Sequence, residues 1–335
     1  MWPVENAART AALHFRMRVR LYSHVSVALV AALLITAPHL HTRAVERSVA
    51  ITFDDLPGAG AGTVVPDTAG LEALSRKLLI ALRQHSVPAI GFVNEAGLGL
   101  DGPLLDDRTR RVGILRLWLN AGLELGNHTY SHRDLNTTPL DAYEADVLRG
   151  ETMTRTLLRE TGRTLRYFRH PLLHVGADPV TRRAFEAFLA ERGYIVAPVT
   201  VDNDEFVYAA AYAAALRRGD SAGANRVADD YLRYMEDTFA YFEEVSRRIV
   251  GREISQILLL HANSLNADRF GALADLLTRR GYRFISLTQA LEDPVYRLPD
   301  EFTGAPGNSW FNHWEITAGR KPVPTPAPPS WVTPR

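Results

Sequence analysis

SVAITFDD, residues 48–55, is a short β-branched run that stops at two carboxylates, and a glycine-rich loop follows it. The run reads as a strand. Beyond the loop, Asp67 stands where it caps a helix whose apolar positions Leu71, Leu74, Leu78 and Leu82 keep a helical period. The same alternation then repeats. Pro88–Val93 is apolar and strand-like, and a helix is expected around Thr109–Asn120. Leu123–Gly126 is a brief strand, and Thr138-Pro139 opens a helix as cap and first residue. Arg166–Arg169 is strand-like, Asp178-Pro179 opens a helix ending near Gly193, and Tyr194–Val201 is strand-like again. Ile257–His261 is strongly apolar, Asn266–Arg280 is helical with Gly281 as its stop, and Tyr282–Ser286 reads as a last strand. About seven β/α units of this kind predict a parallel sheet or barrel covered by helices. Residues 204–250, rich in Ala, Tyr and charge, read as one or two helices inserted before the last strands. Trp310 and Trp314, four residues apart, could share a helical face, expected to cover the barrel end rather than touch sugar.

The bulk composition narrows the classes. The 335 residues carry 46% hydrophobic and 23% charged side chains, enough for an ordinary globular core. Basic and acidic residues balance at 38 each, so nothing points to a nucleic-acid partner. No cysteine is present, which excludes disulfides, a thiol nucleophile and a thiolate zinc site. There is no G-x-S-x-G elbow, and Gly58–Gly62 lacks the spacing and lysine of a phosphate loop. Arg16, Arg18 and Arg20 precede an apolar run, Val25–Pro38, that is short of the ~20 residues of a membrane span. Residues 1–43 are therefore expected to be a secretory signal peptide or N-terminal anchor. Export to the periplasm or beyond follows, with membrane contact only through this segment. A main domain over 44–317 and a Pro-rich tail over 318–335, disordered or extended, complete the organisation.

Chemistry in parallel α/β folds gathers at the C-terminal ends of strands. Five strand ends here deliver ionisable residues: Asp54 and Asp55, His128 and His132, Arg169, Asp202 and Glu205, and His261. Each alone has an ordinary reading. An Asp pair caps turns, a His after an apolar run is often a satisfied core residue, and an Arg is often a surface charge. His128 and His132, spaced i and i+4, would lie on one side of a helical turn, which suits a metal. Thr129 after His128 excludes the H-E-x-x-H pattern.

In this order the residues resemble the polysaccharide deacetylase family, the NodB-homology or carbohydrate esterase 4 group. The motifs read Thr52-Phe53-Asp54-Asp55, His128-Thr129-Tyr130-Ser131-His132, Arg169-His170-Pro171-Leu172, Asp202-Asn203-Asp204-Glu205-Phe206 and Leu259-Leu260-His261. The resemblance implies a distorted (β/α)7 barrel. It implies Asp55, His128 and His132 as ligands of a divalent metal, zinc first, with Asp54 as general base and His261 as general acid. Arg169 would hold Asp54, Glu205 would hold Arg169, and the Leu172 N–H would stabilise an oxyanion beside Pro171. His174 is expected in the substrate groove or at the surface.

The implied reaction is removal of N-acetyl groups from an N-acetylglucosamine polymer, chitin-like or peptidoglycan. The alternatives are an O-acetyl xylan esterase, an amidohydrolase on a small cyclic amide, or a non-catalytic carbohydrate-binding protein. Three positions depart from the family. Leu172 stands where an aromatic is usual, Glu205-Phe206 where Asp-Trp is usual, and Ala262 where an acid often follows the histidine.

Overall fold

The computed structural model describes residues 47–333 apart from 61, 66, 101–103 and 323. The expected signal or anchor over 1–43 lies outside the described residues. Among those residues no helix is long and apolar enough to cross a membrane.

Seven parallel strands form one sheet. They are β1 (Arg47–Leu56), β2 (Ile90–Val93), β3 (Glu124–Asn127), β4 (Tyr167–Phe168), β5 (Ile195–Val196), β6 (Ser255–His261) and β7 (Tyr282–Ile285). Their order is β5-β4-β3-β2-β1-β6, with β7 also paired to β1. β1 is the hub. Its first half pairs with β7, its second half with β2, and Ser48–Asp54 with β6 along the other edge. A bridge from Val201 to Leu258 brings the segment after β5 back to β6. The sheet thus curls into the distorted (β/α)7 barrel expected.

Side-chain alternation along β1 divides the core. Val49, Ile51 and Phe53 face the helices, where Phe53 meets Trp118 and Phe270 with ring centroids 5.7 Å from each. Ala50 faces the barrel interior with Ile90, Phe92, Tyr167, Ala197 and Ile257. Thr52 and Asp54 share that inward parity, so the strand delivers its first carboxylate inside the barrel mouth.

Helices follow the strands as the sequence suggests: α1 (Thr68–Gln84), α2 (Leu105–Asn120), α3 (Leu140–Arg149), α4 (Thr152–Glu160) and α5 (Pro179–Glu191). After β5 come the two inserted helices, α6 (Glu205–Arg217) and α7 (Ser221–Val250), then α8 (Ser264–Arg279), α9 (Leu287–Ala290) and α10 (Trp310–Thr317). Asp67 caps α1 by accepting from Gly70 N–H, and Asp178 caps α5 by accepting from Val180 and Thr181 N–H.

Three points differ from the sequence reading. α3 starts at Leu140 with Pro139 at its cap, because Asp134 C=O takes the Thr137 and Thr138 amides in a preceding turn. β5 is two residues long, since the chain leaves the ladder before Pro198, which has no N–H to give. α4 has no counterpart in the sequence reading. Its N-terminus is capped from a distance by buried Glu95, which accepts from Met153 and Thr154 N–H. Trp310 and Trp314 are both buried and cover the barrel, the first of the two roles expected of them. The described part of the tail packs on α7, where Tyr234 Oη–H donates to Pro326 C=O at 3.4 Å. Val332 is buried, and Arg226 sits over the Trp331 ring at 4.5 Å.

Candidate metal centre and active-site cleft

A cleft of about 540 Å³ opens at the C-terminal ends of the strands. Asp54, Asp55, His128, His132, Leu172, Asp202 and His261 all line it. The strand ends singled out in the sequence therefore converge.

Asp54 and Asp55 are consecutive, and in a regular strand they would point to opposite faces. Asp55 instead has φ 64°, in the left-handed region, where β1 also loses its even register with β2. The kink turns the second carboxylate toward the same mouth as the first. Asp55 Oδ1 lies 3.7 Å from His128 Nε2 and 3.7 Å from His132 Nε2. Asp54 Oδ2 lies 3.8 Å from His128 Nε2.

The His128–His132 pair is not on a helix, contrary to the spacing argument. Residues 128–132 form an irregular turn with Thr129 at φ 64° and His132 at φ 57°. Thr129 Oγ1 accepts from His132 N–H at 3.0 Å, and Asn127 Oδ1 accepts from Thr129 N–H at 2.7 Å. The turn is clamped to α3. Asp146 takes Ser131 N–H at 2.9 Å and Ser131 Oγ–H at 2.8 Å, and Gly150 lies so close that a Cβ would be 2.3 Å from Thr129 C. Sequence reasoning missed both Asp146 and Gly150. They sit at the C-terminal end of α3, the next helix, outside the motif, and only the fold brings them under it.

Asp55, His128 and His132 each offer a ligand atom, all within 4.8 Å of one another. Two donors each about 2.1 Å from one ion at tetrahedral angles would be roughly 3.4 Å apart, so this set fits a divalent cation. His128 Nδ1–H donates to Arg169 C=O at 2.9 Å, which leaves Nε2 as the lone-pair nitrogen facing the triad. Burial holds the His128 imidazole down at about 3, against the pull of Asp55, so it stays neutral.

Arg169 is fully buried and donates through all three nitrogens: Nε to Ala197 C=O (2.9 Å), Nη2 to Thr52 Oγ1 (3.0 Å) and Nη1 to both Asp54 oxygens (3.3 and 3.4 Å). Burial raises the Asp54 carboxyl, and the Arg169 charge opposes that rise. Asp54 is thus oriented by Arg169, with its carboxyl raised on balance by burial.

Opposite Asp54 stands His261. β1 and β6 pair with Asp54 in register with His261, so the two strand ends set them side by side. Glu205 was expected to hold Arg169, but the structure turns it elsewhere. As the first residue of α6 it accepts from His261 Nδ1 at 2.8 Å, from Asn266 Nδ2 at 2.8 Å and from Asn263 Nδ2. Arg169 needs no further partner, because Asp54, Thr52 and Ala197 already occupy it. Burial lowers His261, yet the Glu205 hydrogen bond and charge, with Asp55 and Asp54 nearby, raise it more, to about 9.

Other expected residues fall as follows. Leu172 is on the cleft, 52% exposed, and its N–H meets no acceptor among the described residues. Pro171 is buried and His174 turns to Asp134 (2.7 Å), so neither lines the cleft. Asp202 does line it, its carboxyl pushed up to about 7 by burial and by Asp204. Phe206, 55% exposed, forms a wall beside His261 with Ala209 and Ala210 of α6. The first inserted helix, α6, therefore shapes the cleft.

A parallel barrel mouth brings together one carboxylate and two imidazoles that could hold a divalent metal, flanked by a second carboxylate and a third imidazole. The family model for polysaccharide deacetylase matches residues 41–184, which places that stretch in the polysaccharide deacetylase family. The match includes Asp54, Asp55, His128, His132 and Arg169, and ends before Glu205 and His261. No curated protein matches the chain. Among solved structures, a family 4 carbohydrate esterase from Streptomyces lividans is similar at 21% identity and TM-score 0.43, over 74% of this chain and 97% of that one. A peptidoglycan deacetylase from Bacillus subtilis is similar at 17% and 0.45, over 75% and 93%. A carbohydrate esterase family 4 pseudoenzyme from Bacillus anthracis is similar at 16% and 0.44, over 73% and 65%.

Proposed function

We propose that the protein is an exported, metal-dependent hydrolase that removes N-acetyl groups from an N-acetylglucosamine-containing polysaccharide. One observation carries the reading. A base-type carboxylate and an acid-type imidazole, each fixed by its own buried partner, stand side by side next to the Asp55–His128–His132 triad.

A divalent cation held by the triad, zinc being our choice, would polarise the acetyl carbonyl and acidify the attacking water. Asp54 takes a proton from that water as its oxygen adds to the carbonyl carbon. The Leu172 N–H, which meets no acceptor among the described residues, donates to the oxygen as it gains charge. His261, protonated at neutral pH, gives its Nε2 proton to the amide nitrogen as the C–N bond breaks. Acetate and a free amine result. An amide nitrogen leaves poorly as an anion, so a histidine held charged by Glu205 favours an N-acetyl over an O-acetyl substrate.

The purified protein, stripped with a chelator and reloaded with zinc, tests this. Acetate release is measured from chitooligosaccharides, peptidoglycan fragments and acetylxylan. Zinc-dependent release from an N-acetylated substrate is expected. Release from acetylxylan alone makes the protein an esterase. No release with zinc bound overturns the hydrolytic reading and favours a sugar-binding role. Export is tested separately, by fractionating cells that express the full chain.

A further inference from the structure

Leu172 and Leu173 are consecutive non-glycine residues in the left-handed region, with φ 58° and 56°. Such residues are strained and persist only where the surroundings impose them. The turn itself supplies two backbone bonds, Leu173 N–H to His170 C=O and His174 N–H to Pro171 C=O, both 3.1 Å. The Leu172 side chain is exposed and anchors nothing.

The rest of the constraint comes from far along the chain. Gly307 lies directly on the turn, where a Cβ would stand 1.7 Å from Leu172 O and 3.2 Å from Leu173 Cβ. The segment carrying Gly307 is tied down on both sides. Gly304 N–H donates to Gly176 C=O at 2.8 Å, and Asn136 bridges Gly304 C=O (2.7 Å) and Gly176 N–H (3.1 Å). Asp300 accepts from Arg182 Nη1 at 2.9 Å and from His313 Nδ1 at 3.0 Å, while Arg182 also donates to Phe302 C=O. Phe302 stacks on His313 with centroids 4.3 Å apart. At the far end Ser309 Oγ–H donates to Thr200 C=O (2.6 Å) and Trp310 N–H to Val199 C=O (2.7 Å), fixing the segment to the barrel.

We infer that residues 300–310 form a strap that holds the Leu172–Leu173 turn in its left-handed form, making Gly307 and Asp300 positioning residues for the Leu172 N–H. This rests on the deacetylase reading, because it assigns the strap to the oxyanion donor of that reaction. Asp300 lies outside the cleft, and Gly307 borders it and acts through the backbone of the turn. Without the strap the turn relaxes toward right-handed backbone and the amide rotates away from the developing charge.

The experiment uses the full chain with Gly307→Ala and, separately, Asp300→Asn. Each variant is first shown to be folded and to bind zinc. Gly307→Ala is expected to lower kcat on the order of 10²-fold with little change in KM, the signature of a lost oxyanion donor. Zinc affinity is expected to be unchanged, since the triad lies on other elements. A second readout needs no turnover: the Leu172 and Leu173 amide resonances should shift and exchange faster, while those of residues 128–132 stay in place. Asp300→Asn should give the same pattern more weakly. A folded Gly307→Ala protein with wild-type kcat and unshifted Leu172 amide overturns the strap. So does a kcat loss that tracks zinc loss. If the wild type releases no acetate at all, the deacetylase reading fails, and the amide shifts still decide whether the strap controls the turn.

Discussion

On one wall of the cleft His128 gives its Nδ1 proton to a backbone carbonyl; on the other His261 gives its own to the Glu205 carboxylate. The residue type is the same, yet burial leaves the more enclosed His128 at about 3 while Glu205 carries His261 to about 9. A neutral acceptor fixes the tautomer without adding charge, so desolvation prevails and Nε2 keeps its lone pair. An anionic acceptor outweighs desolvation, so Nε2 keeps its proton. The two walls thus make a ligand and an acid from one kind of side chain. The carboxylates mirror them: Asp55 is turned into the triad by its left-handed backbone, and Asp54 is kept out of it by Arg169.

The most damaging way to break this division is Asp54→Asn. It keeps the shape and the Arg169 contact but removes the base. Loss of kcat on the order of 10³-fold is expected with zinc still bound, because general-base terms are of that size. Equal loss of zinc would mean that Asp54 belongs to the ligand wall and that the division is misplaced.

Next is Glu205→Gln, which makes the acid wall resemble the ligand wall. Loss of the carboxylate should drop the His261 pKa, read by imidazole NMR in the metal-free protein. The alkaline limb of activity should move to lower pH, with kcat down roughly 10²-fold, the size of a general-acid term. The sign for stability follows. A histidine raised from 6.5 to about 9 on folding contributes stability that is complete below about 6.5 and lost as pH rises through 9. The metal-free wild type should therefore lose Tm across that window and Glu205→Gln should not. A variant with an unmoved alkaline limb would remove His261 from the proton-transfer role.

The ligand wall was the more legible of the two in the sequence, for a physical reason. Asp54, Asp55 and His128 sit at or next to the ends of strands recognised from short apolar runs, so their convergence follows from topology alone. Glu205 has no such fix. It is the first residue of a helix, and its choice between Arg169 and His261 depends on where α6 lies and on Asn263 and Asn266, which hold its other oxygen. The motif order supplied the residue but not its partner. His132 was found for a mistaken reason, since its i+4 spacing works through a left-handed turn. Gly307 could not be found at all, because its need for a bare Cα arises only when residues 300–310 return to the Leu172 turn. α4 was missed because its cap comes from Glu95, 58 residues before Met153.

The smallest test sharpens the ligand wall itself. Thr129 is a β-branched residue at φ 64°, an uncommon and strained choice. Its hydroxyl accepts from His132 N–H, so the strain accompanies a bond that aims the most exposed ligand. Three substitutions separate the two contributions. Thr129→Ser keeps the acceptor, and zinc affinity should be unchanged. Thr129→Ala and Thr129→Gly both lose it, and each should weaken zinc binding about tenfold, as a lost supporting bond does. Glycine also accepts the left-handed backbone at no steric cost, so its Tm should exceed that of the alanine variant by a few degrees. Calorimetry with zinc and thermal melts on the three proteins decide the matter. If Thr129→Gly binds zinc as tightly as the wild type, the hydroxyl is incidental, and the α3 clamp through Asp146 and Gly150 alone aims His132.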